Sequence, residues 1–268
     1  MDVGSGSDEG ARALPGLLSG VQAWRWRVSI DRRKVSVAAA ALDAGIDWIN
    51  DVSALTFDSE MARLAASSGA PVCLMHAPSD PKTMQQNAQY EDVLLDVYDY
   101  LAARVDFALS QGILRQNIIV DPGIGFGKTL AHNLTLLRGF AVFHSLGCPM
   151  LLGASRKRFI GTISGAEKAQ DRMAGSVAVA LAAAGQVAQI LRVHAVRETV
   201  HALHLLAAVR GQRYGARHPP ATSPHPVRSQ TQPHTPPTAA PPPYRGSPPP
   251  RPRPTPGALV AHDTPVPP

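Results

Sequence analysis

Six places in this sequence put polar or charged side chains at the end of a short apolar run. They are Asp31 after "WRVSI", Asn50 and Asp51 in "IDWINDVS", Met75 and His76 in "PVCLMH", Asp121 after "NIIV", Ser155, Arg156 and Lys157 in "PMLLGASRK", and Arg192 and His194 in "QILRVH". Asp31, Asn50 and Asp121 offer carboxylate and amide groups suited to a flat heterocycle with adjacent N–H donors, since one carboxylate accepts two parallel hydrogen bonds. Each could instead cap the helix that follows it, and for a single strand-end aspartate capping is the commoner role. Several such residues converging on one face reverse that preference. Ser155 with the cations of "SRKRFIG" could bind anionic oxygen and counter the charge on a leaving group, the alternative being a solvated basic turn. Arg192 and His194 stand two residues apart and so face the same side of a strand. The arginine could stack on an aromatic ligand while the histidine meets a phosphate.

The string "DPGIGFGKTLAHN" (121–133) suggests a nucleotide-phosphate loop and fails as one. A P-loop needs glycine five positions before the Gly of Gly-Lys-Thr, where this chain has Pro122. The dinucleotide fingerprint has its first spacing in Gly123 and Gly125, but Lys128 stands where its third glycine belongs. The glycines are better suited to a sharp turn that leaves open floor beside a flat ring, because no Cβ obstructs the approach. Asp121 is then the informative end of the string, and Lys128-Thr129 leads into a helix.

These residues need elements to place them, and the chain alternates short β-rich runs with helical ones. After the strand "WRVSID" comes a helical stretch ending at Gly45. After "IDWINDVS" a helix is predicted around 58–68, after "PVCLMH" around 89–110 and ending near Gly112, and after "NIIVD" around 130–145. "PMLLGAS" is followed by one around 172–185 and "QILRVH" by one around 197–210, which makes six strand-then-helix units. Near-continuous apolar strands separated by helices indicate a parallel sheet covered by helices. In a closed βα barrel the functional residues gather at the C-terminal strand ends, as they recur here; an open doubly wound sheet would concentrate them at one switch point.

Composition excludes several classes. Hydrophobic residues make up 44% of 268, enough for a core, but 19 of 25 prolines lie from Pro219 onward. Residues 218–268 lack the apolar content to offset ordering entropy and are expected to form a disordered, proline-rich tail behind a domain spanning 1–217. That tail holds four arginines and one aspartate, so about half of the net charge of +6 is its own. With 5% aromatics and no basic groove in the remainder, nucleic-acid binding is not expected. Cys73 and Cys148 sit in apolar runs as core residues. No secretory signal or membrane span is visible, and a cytoplasmic location is expected. His201 and His204 fall on an exposed helix face with nothing to complete a metal site.

The ordered strings "SIDRRK", "DWINDVS", "LMH", "DPGIGFGKT", "SRKRFIG" and "RVHAVRET" together resemble the dihydropteroate synthases of the pterin-binding barrel family, over roughly residues 24–210. The resemblance implies an α/β fold of the TIM (βα)8 type. It also implies condensation of 6-hydroxymethyl-7,8-dihydropterin diphosphate with 4-aminobenzoate, giving 7,8-dihydropteroate and pyrophosphate, with Mg²⁺ bound by the diphosphate. By family position, Asp31, Asn50, Met75, Asp121, Gly153, Lys157 and Arg192 would hold the pterin. Phe126 and Ser155 would lie towards the aminobenzoate and His194 at the diphosphate. Asp31, Lys157, Arg192 and His194 would carry the catalytic step, and a homodimer would be the assembly.

Against that pattern the chain departs in places. The family's first strand and its Asn-Val-Thr-Pro-Asp-Ser-Phe loop, whose asparagine helps bind Mg²⁺, have no counterpart, so an N-terminally truncated barrel of about six strands is expected, with no protein ligand for the metal. "MDVGSGSDEGA" resembles a decayed form of the second strand's loop, Arg32 stands where threonine is usual, and Ala195 where aspartate is usual. A catalytically impaired remnant that keeps the pterin slot is the alternative reading.

Overall fold

A computed structural model describes residues 28–78 and 89–211, together with a strand at 258–261. In chain order the strands are β1 (Ser29–Asp31), β2 (Trp48–Asp51), β3 (Val72–Met75), β4 (Ile118–Asp121), β5 (Leu151–Leu152), β6 (Ile190–Val193) and β7 (Ala258–Ala261). The helices are α1 (Val35–Asp43), α2 (Met61–Ser68), α3 (Val93–Ser110), α4 (Leu130–Arg138), α5 (Arg158–Ser164), α6 (Met173–Gly185) and α7 (Val196–Val209). Every pairing is parallel, in the orders β1-β2-β3-β4 and β5-β6-β7. A bridge between Val120 and Met150 joins β4 to β5, so the seven strands form one row. The α/β architecture of a βα barrel is as the sequence predicts.

Alternation along the strands divides the core in two. Trp48, Cys73, Ile119, Leu151 and Ile190 form one buried cluster on the inner face. Their neighbours Ile49, Val72, Leu74, Ile118, Val120, Leu152, Leu191 and Val193 point outward into a larger cluster with the helices, which contribute Met61, Val97, Leu101, Val105 and Ala180 among others. Two residues beyond the inner cluster on each strand stand Asn50, Met75, Asp121, Gly153 and Arg192. The inner apolar residues are therefore a floor, and the next inward row is the site. Both cysteines are free and buried.

Three details differ from the sequence reading. The helix expected over 130–145 stops at Arg138, and a 3-10 segment, Phe140–Leu146, follows Gly139. A Cβ at Gly139 would come within 2.7 Å of Leu94 on α3, so the chain turns there against a neighbouring helix. "RFIGTIS", where no helix was predicted, is the helix α5. Last, residues 258–261 of the expected tail are not outside the fold: β7 lies parallel to β6, with Ile190 opposite Ala258 and Val193 opposite Ala261, and makes seven strands among the described residues where six were expected. The rest of 218–268 lies outside the described residues, as does "MDVGSGSDEGA". No described helix is long and apolar enough to cross a membrane.

Candidate active site

The inward row converges on Arg192. Its Nη2 lies 3.7 Å from Oδ2 of Asp121 and its Nη1 4.0 Å from Oδ2 of Asp31, so one guanidinium on β6 faces carboxylates from β4 and β1. Asp121, 1% exposed, also accepts a hydrogen bond from the Gly123 backbone N–H at 2.8 Å. Asn50 Nδ2 donates to Asp31 Oδ2 at 3.0 Å, while Asn50 Oδ1 is buried without a hydrogen-bond partner. An acceptor left unsatisfied in a buried place is expensive unless something else meets it. Met75, fully buried beside Asp121 in the β3–β4 register, closes the row between them.

Glycines make the close approaches possible. At Gly153 a Cβ would sit 2.7 Å from Arg192 Nη2 and 3.2 Å from its Cζ, so the guanidinium rests on bare backbone. At Gly125 a Cβ would fall 2.9 Å from Lys157 Cδ. Lys157 lies across that loop and sets its ammonium 3.8 Å from the centre of the Phe126 ring, a cation–π contact. Ser155 and His194, which family position assigns to the arylamine and diphosphate sides, meet each other: His194 Nδ1 lies 3.0 Å from Ser155 Oγ, which also accepts from the His194 backbone N–H.

Burial sets the electrostatics. Desolvation pushes the Asp121 carboxyl above the ordinary carboxylate range, against the pull of Arg192, the Gly123 N–H, Lys157 and Lys128. Asp31 is pushed the same way by desolvation, opposed by Arg192 and Asn50, and the 41% of its side chain left open to solvent tempers the effect. Lys157 is lowered to about 8 by desolvation and then by Arg192, while Asp121 and Asp31 hold it up. Two carboxyls and two cations thus share a site that penalises charge of either sign.

The ten residues assigned to the site by family position all come to the C-terminal end of the parallel strands, on the site row or in the loops immediately after it. His201 and His204 are exposed on α7, away from it. A buried pair was missed. Lys128, 5% exposed, places Nζ 2.9 Å from His76 Nδ1, and His76 is itself 5% exposed. A lysine ending a glycine string and a histidine ending a strand were both visible, but 52 residues separate them and only the β3–β4 pairing brings them together.

The pterin binding enzyme family matches residues 2–194. The chain belongs to that family. Dihydropteroate synthase of Neisseria meningitidis serogroup B is 42% identical over 212 residues, 78% of this chain and 74% of that protein. The Thermus thermophilus dihydropteroate synthase solved in complex with 6HMPPP superimposes with a TM-score of 0.72 at 44% identity, over 76% of this chain and 81% of that one. The Xanthomonas albilineans enzyme in complex with 7,8-dihydropteroate gives 0.69 at 38% identity, over 75% and 74%.

Proposed function

We propose that the chain is a dihydropteroate synthase, joining the methyl carbon of 6-hydroxymethyl-7,8-dihydropterin diphosphate to the amine of 4-aminobenzoate with loss of pyrophosphate. One observation carries the reading: a buried carboxylate, Asp121, and a buried unpartnered carbonyl, Asn50 Oδ1, on one row above an apolar floor. Together they accept from the pterin's adjacent N–H groups, and the Arg192 guanidinium, lying on Gly153, offers its flat face to the ring. As pyrophosphate leaves, positive charge grows on the pterin methylene. The carboxylates of Asp121 and Asp31 favour that charge, and Lys157 favours the departing oxygen. Ser155 and His194 are hydrogen-bonded to each other, which supports one place for both, with Ser155 towards the arylamine and His194 towards the diphosphate.

Among the described residues no three His, Cys, Asp or Glu side chains group to hold a metal ion. In this reading Mg²⁺ arrives with the diphosphate as part of the substrate. A cytoplasmic location and a homodimer complete the reading; Leu205 and Val209, exposed on α7, are apolar surface that a second copy would cover.

The test is pyrophosphate release by the purified chain with Mg²⁺ and both substrates. Release that depends on 4-aminobenzoate is expected. Pterin binding by calorimetry without any release would make the chain a binding protein of the family, and absence of both would overturn the reading of the site.

A further inference from the structure

The buried Lys128 has no part in the reaction as described above, and its surroundings give it one. Its Nζ lies 2.9 Å from His76 Nδ1, 3.0 Å from the Phe126 carbonyl and 3.4 Å from the His76 carbonyl. An ammonium has three donors and here has three acceptors, all protein, so it has no hydrogen left for a ligand. Among the described residues no carboxylate touches it, and a buried cation held only by neutral groups is retained against a desolvation cost.

What it holds is a loop that cannot hold itself. Gly123, Gly125 and Gly127 have φ of 69°, 81° and 57°, and a Cβ at Gly123 would fall 2.0 Å from the His76 carbonyl oxygen. Such a run has many backbone states to lose. Four side chains fasten it: Asp121, which accepts from the Gly123 N–H at 2.8 Å; Asn133, which accepts from the Gly125 N–H at 2.7 Å; Tyr90, whose hydroxyl donates to the Gly127 carbonyl at 3.0 Å; and Lys128. Of the four, only Lys128 ties the loop to the end of a strand other than β4, which leads into it. The residue whose carbonyl it grips, Phe126, is the one whose ring lies under Lys157.

We propose that Lys128 is a positioning residue for the arylamine side of the site, its ammonium stapling the 122–127 loop to the end of β3 and so fixing Phe126 and, through that ring, Lys157. The assignment of Phe126 to the arylamine rests on the proposed function.

A dependence on pH follows. The charged and titratable groups facing Lys128 are His76 from the end of β3, Asp121 from the end of β4 and Lys157 from the loop before α5, with Tyr90 and, on α3, Tyr100 beside the His76 ring. His76 is lowered to about 3 by burial and by Lys128, so it stays a neutral acceptor. Lys128 is lowered to about 7, by burial first and by Lys157, with Asp121 opposing. Below that pH the ammonium makes all three hydrogen bonds. Above it the amine has two N–H groups, and the grip on one carbonyl is released.

The wild-type KM for 4-aminobenzoate is therefore expected to rise at least five-fold between pH 6 and 8.5. Lys128→Met should show the raised KM already at pH 6, with kcat within about three-fold. Lys128→Arg, which stays charged, should restore the low KM at pH 6 and lose the change near neutrality, keeping only what Lys157 contributes at higher pH. Identical pH profiles in wild type and Lys128→Arg would overturn the proposal, and if neither variant folds, a flat wild-type profile does so alone. Amide exchange of residues 123–127 separates this from the proposed function. A ten-fold faster exchange in Lys128→Met, with β4 unchanged, supports the staple even in a protein that does not turn over; unchanged exchange removes it.

Discussion

Replacing Asp121 by asparagine is expected to leave the protein as stable as before, or more so, while pterin binding collapses. Arg192 Nη2 lies 3.7 Å from the carboxylate, and at an effective dielectric constant near 20 that attraction is about 4–5 kcal/mol. Asparagine forfeits it. Yet burial holds the Asp121 carboxyl above its ordinary pKa in spite of Arg192, Lys157 and Lys128, so the fold favours the neutral form over the anion. The sign follows from proton linkage: the folded carboxyl keeps its proton where the unfolded one has lost it, so stability falls as pH rises from 3.8 through the folded pKa. Asparagine removes that loss and can still accept from the Gly123 N–H, 2.8 Å away in the wild type. The melting temperature at pH 7 should therefore hold or rise by a few degrees. Binding goes the other way. A carboxylate accepting two N–H donors makes two charge-assisted hydrogen bonds of about 1.5–3 kcal/mol each. Asparagine accepts one and turns its own N–H towards the other donor, a net loss of about 3–5 kcal/mol, or roughly two to four decades in Kd. Scanning calorimetry and titration with a dihydropterin measure both. A melting temperature lower by more than about 5 °C with pterin affinity within about three-fold would refute the reasoning, since one kcal/mol is about 2–4 °C in a domain of this size.

Further predictions concern pH, a helix end and the edge strand. His76, buried and lowered from 6.5 to about 3, is protonated in the unfolded chain across that window but not in the folded one, so stability should fall as pH drops from 6.5 towards 3. At 1.36 kcal/mol per pH unit the loss is at most roughly 4–5 kcal/mol; chemical denaturation from pH 7 to 4 should show it, and His76→Gln, which keeps an acceptor for Lys128, should flatten it. Ala195 occupies the N-cap of α7 with no side-chain hydrogen bond, so Ala195→Asp should stabilise by about 1 kcal/mol; an unchanged melting temperature would mean that the first turn finds its acceptors elsewhere. Leu259→Pro with Val260→Pro removes two backbone donors from β7. Exchange of the β6 amides at Leu191–Val193 should quicken at least ten-fold, and unaltered exchange would show that β7 does not pair with β6 in solution.

The sequence made the strand ends legible because two signals coincided there: apolar runs marked the strands, and the residue types that followed could do chemistry. Asp31, Asn50, Asp121 and Arg192 come together for the reason the reading gave, parallel strands ending on one face. It could not show distances across the row. That Gly153 is the bed of the Arg192 guanidinium depends on a register between β5 and β6 that no periodicity encodes. Nor could it show β7: "GALVAHD" is four short apolar residues among prolines, and propensity alone left it in the tail. What makes "ALVA" a strand is the neighbour it meets, since β6 without it would present unpaired N–H and C=O groups along the strand that carries Arg192. Lys128, read only as the entry to a helix, was passed over for a related reason. In the chain it resembles the end of a phosphate loop, but its partners, His76 Nδ1 and two carbonyl oxygens, are acceptors that leave it nothing to offer a phosphate. Residue type left that lysine at the entry to a helix, and the count of its hydrogen bonds assigns it to the scaffold that places Phe126.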